Sequence, residues 1–190
     1  TEAMAIPALT PQASAPASTA QPSEPTVPPP SSPTASAQIT PTATAVAEGP
    51  LSGSVQVQFG SFGELIGWEL SSAEVAVGEP LVLTLYWRGL EGESPTDYTV
   101  FTHLLSQEGA LIAQHDGPPA GGTKGTTDWG AGETIVDSHE LSFTSQAADR
   151  TGPATVIVGL YDPENIDARV STNQGQDYVT LPVTVSVVAE

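Results

Sequence analysis

The sequence predicts an all-β chain: an antiparallel β-sandwich of about eight strands preceded by an extended Pro/Ala/Ser/Thr-rich tail. Three observations predict it. Residues 1–50 hold 11 Pro, 12 Ala and 14 Ser or Thr, with no aromatic residue, Lys or Arg, whereas residues 51–190 hold all three Trp, four Tyr and four Phe. The second part alternates apolar and polar residues in short runs between Gly, Pro, Asp and Ser clusters. No stretch carries a helical period. The domains are therefore a low-complexity tail over 1–50 and a sandwich over 51–190.

The strands follow in order. Ser54–Phe59 alternates, with Val55, Val57 and Phe59 on one face. Leu65–Leu70 follows a Gly/Ser/Phe/Gly turn. Leu81–Trp87 reads LVLTLYW, so Leu81, Leu83, Leu85 and Trp87 point one way. Tyr98–Leu105, Ala110–His115, Thr134–Phe143, Thr155–Tyr161 and Tyr178–Val188 complete the set. Pro182 inside the last run places it at an edge or at a break where a strand changes partner. About 140 residues suffice for one core.

The charge narrows the partners. Of 22 acidic residues three lie in the tail and 19 in the domain, which also carries all four basic ones; the tail contributes −3 and the domain −15 of the net −18. Such a surface repels nucleic acid and anionic membranes. No run approaches a membrane span, so no membrane insertion is expected. Without cysteine there is no disulfide, thiolate nucleophile or Cys-bound zinc. An opening at Thr1 without Met fits a mature form cut from a longer precursor.

A tail of this composition buries too little apolar surface to fold alone. Pro22–Pro33 favours polyproline II, a semi-rigid spacer. Met4 and Ile6 alternate with Ala3 and Ala5, which suits a strand laid on a sheet edge; Leu9, Ile39 and Val46 are further anchors. Ser and Thr beside Pro have the composition of O-glycosylated stalks, with Thr10, Ser14, Ser18, Thr19, Thr26, Thr34, Thr40, Thr42 and Thr44 as acceptors, against an unmodified linker.

The string Gly67-Trp68-Glu69-Leu70, then Val77 through Trp87, Tyr98 through Leu105, Ala113 through Gly117, Trp129 through Glu133 and Val158 through Glu164 resembles a family of bacterial Ig-like β-sandwich domains. These are accessory domains of the kind appended to membrane glycosyltransferases and surface proteins of filamentous phototrophic and related bacteria. The resemblance covers about residues 53–187 and departs at Asn165–Arg169, where the family often has a Gly-containing turn. It implies an Ig-like, extracellular or cell-surface module without catalytic residues. Glycosyltransferase activity does not transfer, because no such portion is present.

Each group of candidate side chains also has a plainer reading. His103, His115 and His139 invite a metal, but their spacing is that of no closed motif, and structural histidines are preferred. Asp162, Glu164 and Asp167 place oxygen ligands in one loop, which calcium favours; the EF-hand Gly is missing and Pro163 favours an ordinary turn. Trp87 alternates with core positions, whereas Trp129 between Gly/Thr-rich loops is the exposed candidate for stacking on sugars. Lys124, the single Lys, is a partner for nearby acids. No nucleophile elbow is present, so no enzyme is expected and no cofactor beyond calcium. The functional expectation is a non-catalytic extracellular structural subunit. It assembles head-to-tail, into a filament, by its tail contacting a neighbouring sandwich, so its partners are other copies of itself. The alternative is a carbohydrate-binding or adhesive module on a linker, with glycans as partners.

Overall fold

The computed structural model describes residues 50–190. The tail residues named above, Met4, Ile6, Leu9, Ile39 and Val46 together with the acceptors from Thr10 to Thr44, lie outside that range. Ten strands run β1 (Leu51–Phe59), β2 (Gly63–Leu70), β3 (Glu74–Ala76), β4 (Leu81–Gly89), β5 (Thr99–Ser106), β6 (Leu111–Gly117), β7 (Thr134–Phe143), β8 (Gly152–Asp162), β9 (Asn165–Arg169) and β10 (Val179–Val188). Only short 3-10 turns interrupt them, and no helix among the described residues is long and apolar enough to cross a membrane.

Two layers form the sandwich. The first has the order β1-β2-β4-β7, and the second β6-β5-β8-β10-β3 with β9 beside β8. Strand β7 joins them at one side. Residues Thr134 to Leu141 pair with β4, and then Ser142 and Phe143 pair with Gln114 and Ala113 of β6. Beyond those two rungs β6 and β7 diverge, which opens a seam between the layers.

The alternation in β4 turns Leu81, Leu83, Leu85 and Trp87 inward, each 0% exposed. Val100 and Leu104 of β5, with Val156, Val158 and Leu160 of β8, are buried from the other layer. In β2 a register shift between Leu65 and Gly67 resets the alternation, so that Leu65 and Trp68 both enter the core. A second shift, between Thr180 and Thr184 of β10, brackets Pro182. The missing N–H of proline thus falls where the ladder is already broken.

Two strands escape the sequence reading. Strand β3 is three residues long, too short for a period, and it pairs parallel to β10. The sandwich is therefore antiparallel with one parallel exception. Strand β9 occupies Asn165–Arg169, where the sequence departs from the pattern it resembles; it pairs with the end of β8, whose first half pairs with β10. All five of its residues are exposed, so burial left no alternating signature.

The layer edges are treated unequally. The end of β1 is capped by the segment after β9: Gly60 N–H donates to Ser171 O (3.1 Å), Asn173 N–H to Gln58 O (3.0 Å), and Gln58 N–H to Asn173 Oδ1 (3.2 Å). Among the described residues no strand pairs with the outer edge of β10 from Val179 to Val185.

The loop between β6 and β7 packs against the end of β4. Gly89 N–H donates to Glu133 O and Gly132 N–H to Gly89 O, both at 2.8 Å. A Cβ on Gly89 would lie 2.1 Å from Gly130 O, a backbone atom with nowhere to go. Gly89→Ala is expected to cost about 2 kcal/mol, read as a lower midpoint in urea denaturation.

Candidate functional site

Two groupings of chemistry-bearing side chains stand out. The first lines the seam between β6 and β7. On β7 the residues Ile135, Asp137, His139 and Leu141 point inward, and Asp137 and His139 are 0% and 1% exposed. A buried carboxylate needs partners, and Asp137 has three. Trp87 Nε1–H donates to Oδ2 (3.1 Å), His139 Nε2–H to Oδ2 (2.9 Å) and Ala120 N–H to Oδ1 (2.9 Å). His139 Nδ1 in turn meets His115 Nδ1 of β6 at 2.8 Å.

This chain constrains its own protons. The Asp137 carboxylate only accepts, which assigns the His139 Nε2 proton. One proton then lies between the two Nδ1 atoms, carried by His115 when His139 is neutral. Two would set donors face to face. The chain ends on a second imidazole, that of His115. It closes the opened seam with a hydrogen-bonded polar network.

The 118–133 loop covers this network. Ala120, which supplies an N–H to Asp137, sits at φ 51°, in the left-handed region. Further along, Thr127 Oγ1–H (2.6 Å) and N–H (2.9 Å) both donate to Asp97 Oδ1. These two hydrogen bonds, the hydroxyl first, hold the Asp97 carboxyl below its usual pKa. Gly130 N–H and Lys124 Nζ (3.0 Å) hold Glu133 in the same way, so the expected pairing of Lys124 with an acid is present.

The second grouping is on the outer face of the β5–β8 layer. Phe101 points outward yet is 1% exposed. It lies over Gly159, whose absent side chain leaves the space; a Cβ there would be 2.3 Å from Phe101 Cζ. The Arg169 guanidinium from β9 sits 4.8 Å above the ring centre. His103, 4.9 Å away centre to centre, contacts Asp116 Oδ1 through Nε2 at 3.2 Å. The Tyr161 phenol pKa is raised, first by burial and then by the charge of Asp116. With Ile166 and Asp167 these residues line an open cleft of about 300 Å³.

The sequence-derived candidates separate accordingly. The three histidines do not converge: His115 and His139 meet at the seam, while His103 lies on the outer face. All three are hydrogen-bonded, which is the structural role preferred for them. The calcium candidates Asp162, Glu164 and Asp167 lie at the end of β8, in the β8–β9 turn and in β9. Asp162 Oδ1 accepts the N–H of Glu164 in the β8–β9 turn, and among the described residues no three His, Cys, Asp or Glu are grouped to hold a metal ion.

Trp129, expected to be exposed for stacking on sugars, is buried instead. The indole is 7% exposed, packed against Trp87 (5.5 Å) and Phe62 (6.1 Å) and against the bare backbone of Gly63. Its Nε1–H donates to Lys124 O. Both faces are engaged, because the Gly-rich loop folds back over the end of the sandwich. Sequence reasoning missed Tyr161, Arg169 and Phe101. They come from three strands, and only the departure at Asn165–Arg169 marked the place.

No protein-family model matches the chain, and no curated protein matches it. Among solved structures the chain is similar to the CARDB domain of a Pyrococcus furiosus protein, crystallised in complex with di-metal ions. The identity is 17%, over 76% of this chain and 98% of that one, with a TM-score of 0.35.

Two measurements probe the seam and its cover. Asp137→Asn replaces an acceptor by an amide donor facing Trp87, His139 or Ala120. Chemical denaturation is expected to report a loss of about 3 kcal/mol, because a buried network is left half satisfied. For Asp97 the folded pKa is depressed below 3.8. Its contribution is therefore present above that value and is lost as pH falls through the folded pKa. Amide exchange of Thr127 is expected to rise on that acid limb, and Asp97→Asn is expected to remove the dependence.

Proposed function

We propose that this chain is a non-catalytic extracellular or cell-surface module that assembles head-to-tail. The tail of one copy adds a strand to the open edge of β10 in the next. The observation that carries this reading is the unpaired outer edge of β10 from Val179 to Val185 among the described residues. An unpaired edge presents a row of free backbone donors and acceptors, a template for an extended segment.

The neighbourhood of that edge supports the reading. Leu51 and Val55 of β1 and Val183 of β10 are only partly buried against the core. In the tail, the alternation of Met4 and Ile6 with Ala supplies the period of 2 that a sheet edge selects, and Pro7 ends it. A head-to-tail contact that does not close on itself makes a filament.

The same reading takes the module as accessory rather than enzymatic, since the buried carboxylate–imidazole chain ends on His115 and not on a nucleophile. Hydroxyl-rich segments between the anchors would carry O-glycans without blocking them.

Electron microscopy and sedimentation velocity test this. The full chain is expected to form oligomers or filaments, and a chain lacking residues 1–50 to remain a folded monomer. Met4→Asp with Ile6→Asp is expected to weaken assembly at least tenfold, about 1.4 kcal/mol. A truncated chain that still polymerises, or a full chain that stays monomeric at every concentration, defeats the proposal.

A further inference from the structure

The outer-face cleft bounded by Phe101, His103, Asp116, Tyr161, Ile166 and Arg169 is used neither by the core nor by the β10 edge. Sheet faces turned to solvent ordinarily carry isolated polar side chains. Here four strands, β5, β6, β8 and β9, converge on one concavity. Its floor is an aromatic ring seated on a glycine, and its rim carries Ile166, 68% exposed, one of two large apolar side chains left this open among the described residues. A concave surface with an apolar flank and a few convergent polar groups is the form of a small-ligand site.

We infer that this cleft binds a neutral saccharide unit of a glycan. The polar groups point to that class by their balance. Asp116 Oδ1 lies 3.2 Å from His103 Nε2, which orients its carboxylate; a carboxylate retains further acceptor sites for ligand hydroxyls. Arg169, 38% exposed, keeps donors beyond its long 3.5 Å contact to Asp177. Asp167 adds a second acceptor on the rim. Fixed donors beside fixed acceptors match a hydroxyl, which is both.

Charge argues against the other classes. The domain carries −15 of the net −18, so an anion meets a repulsive field. A cation would seek the face of Phe101, but the Arg169 guanidinium already occupies it at 4.8 Å. Ile166 and the partly buried Tyr161 ring offer contact for the C–H face of a sugar. The volume of about 300 Å³ is at the small end of ligand sites, which fits one ring of an oligosaccharide and not a longer run.

Titration of the isotope-labelled full chain with neutral hexoses, N-acetylhexosamines and their disaccharides, followed by NMR, tests this. At least one is expected to bind in about the millimolar range, with shifts confined to Phe101, His103, Tyr161, Ile166 and Arg169. Arg169→Ala and Tyr161→Phe are each expected to weaken binding at least tenfold while circular dichroism stays unchanged. Where Arg169→Ala disturbs the fold, Ile166→Ser on the exposed rim serves in its place. The inference is overturned by a panel that produces no shifts, by shifts that map elsewhere, by binding that survives the substitutions, or by preference for glucuronate or glucosamine over the neutral sugars.

Discussion

The structure depends on the way Asp137 is held. Strand β7 must leave one layer and join the other, and where it does so the layers part beside β6. An apolar side chain at that point would face an incomplete wall. Instead a fully buried carboxylate gathers the indole N–H of Trp87, the ring of His139 and the backbone of Ala120. One side chain thereby ties a central strand of the first layer, the crossing strand and the covering loop. In a protein without disulfides, this network takes the part of a bridge between elements distant in sequence. Its strength lies in the pairing of the buried Asp137 and His139, since each donor left without its partner would incur the full desolvation cost in the interior.

The aromatic end of the sandwich extends the same logic. Trp87 gives its polar edge to Asp137 and its ring to Phe59 and Trp129. Trp129 closes over Gly63 and passes its own N–H to Lys124 O. Phe62 stacks on Tyr98 at 5.4 Å. The long β6–β7 loop, rich in Gly and Pro, is thus a lid anchored by aromatic packing, by Thr127 on Asp97 and by Lys124 on Glu133.

Those surfaces differ in character. The β10 edge offers backbone, which selects for an extended partner and not for its chemistry. The cleft on the outer face of β5 and β8 offers side chains in a fixed arrangement, which selects for chemistry. An assembling module with an edge for its own kind and a cleft for a hydroxylated ligand would combine the two functional expectations that the sequence raised as rivals.

Much of the fold was legible in the chain itself. Alternation of apolar residues identified eight of the ten strands, because a half-buried strand must repeat every second residue. Pro182 pointed to an edge or to a break with a change of partner; the structure has a register shift there, with β8 the partner on both sides, since a missing N–H has few places in a ladder. Strands β3 and β9 were illegible: one is three residues long and the other wholly exposed, so neither carries a burial pattern. The sites were less legible still. Trp129 reads as exposed from its Gly-rich neighbours, and only the folded loop shows its faces taken. Histidines at 103, 115 and 139 look equivalent in sequence; register alone sends two to the seam and one to the outer face. Local periodicity determines which segments become strands. Which side chains meet is decided by the pairing of strands far apart in sequence, and that is a property of the tertiary structure.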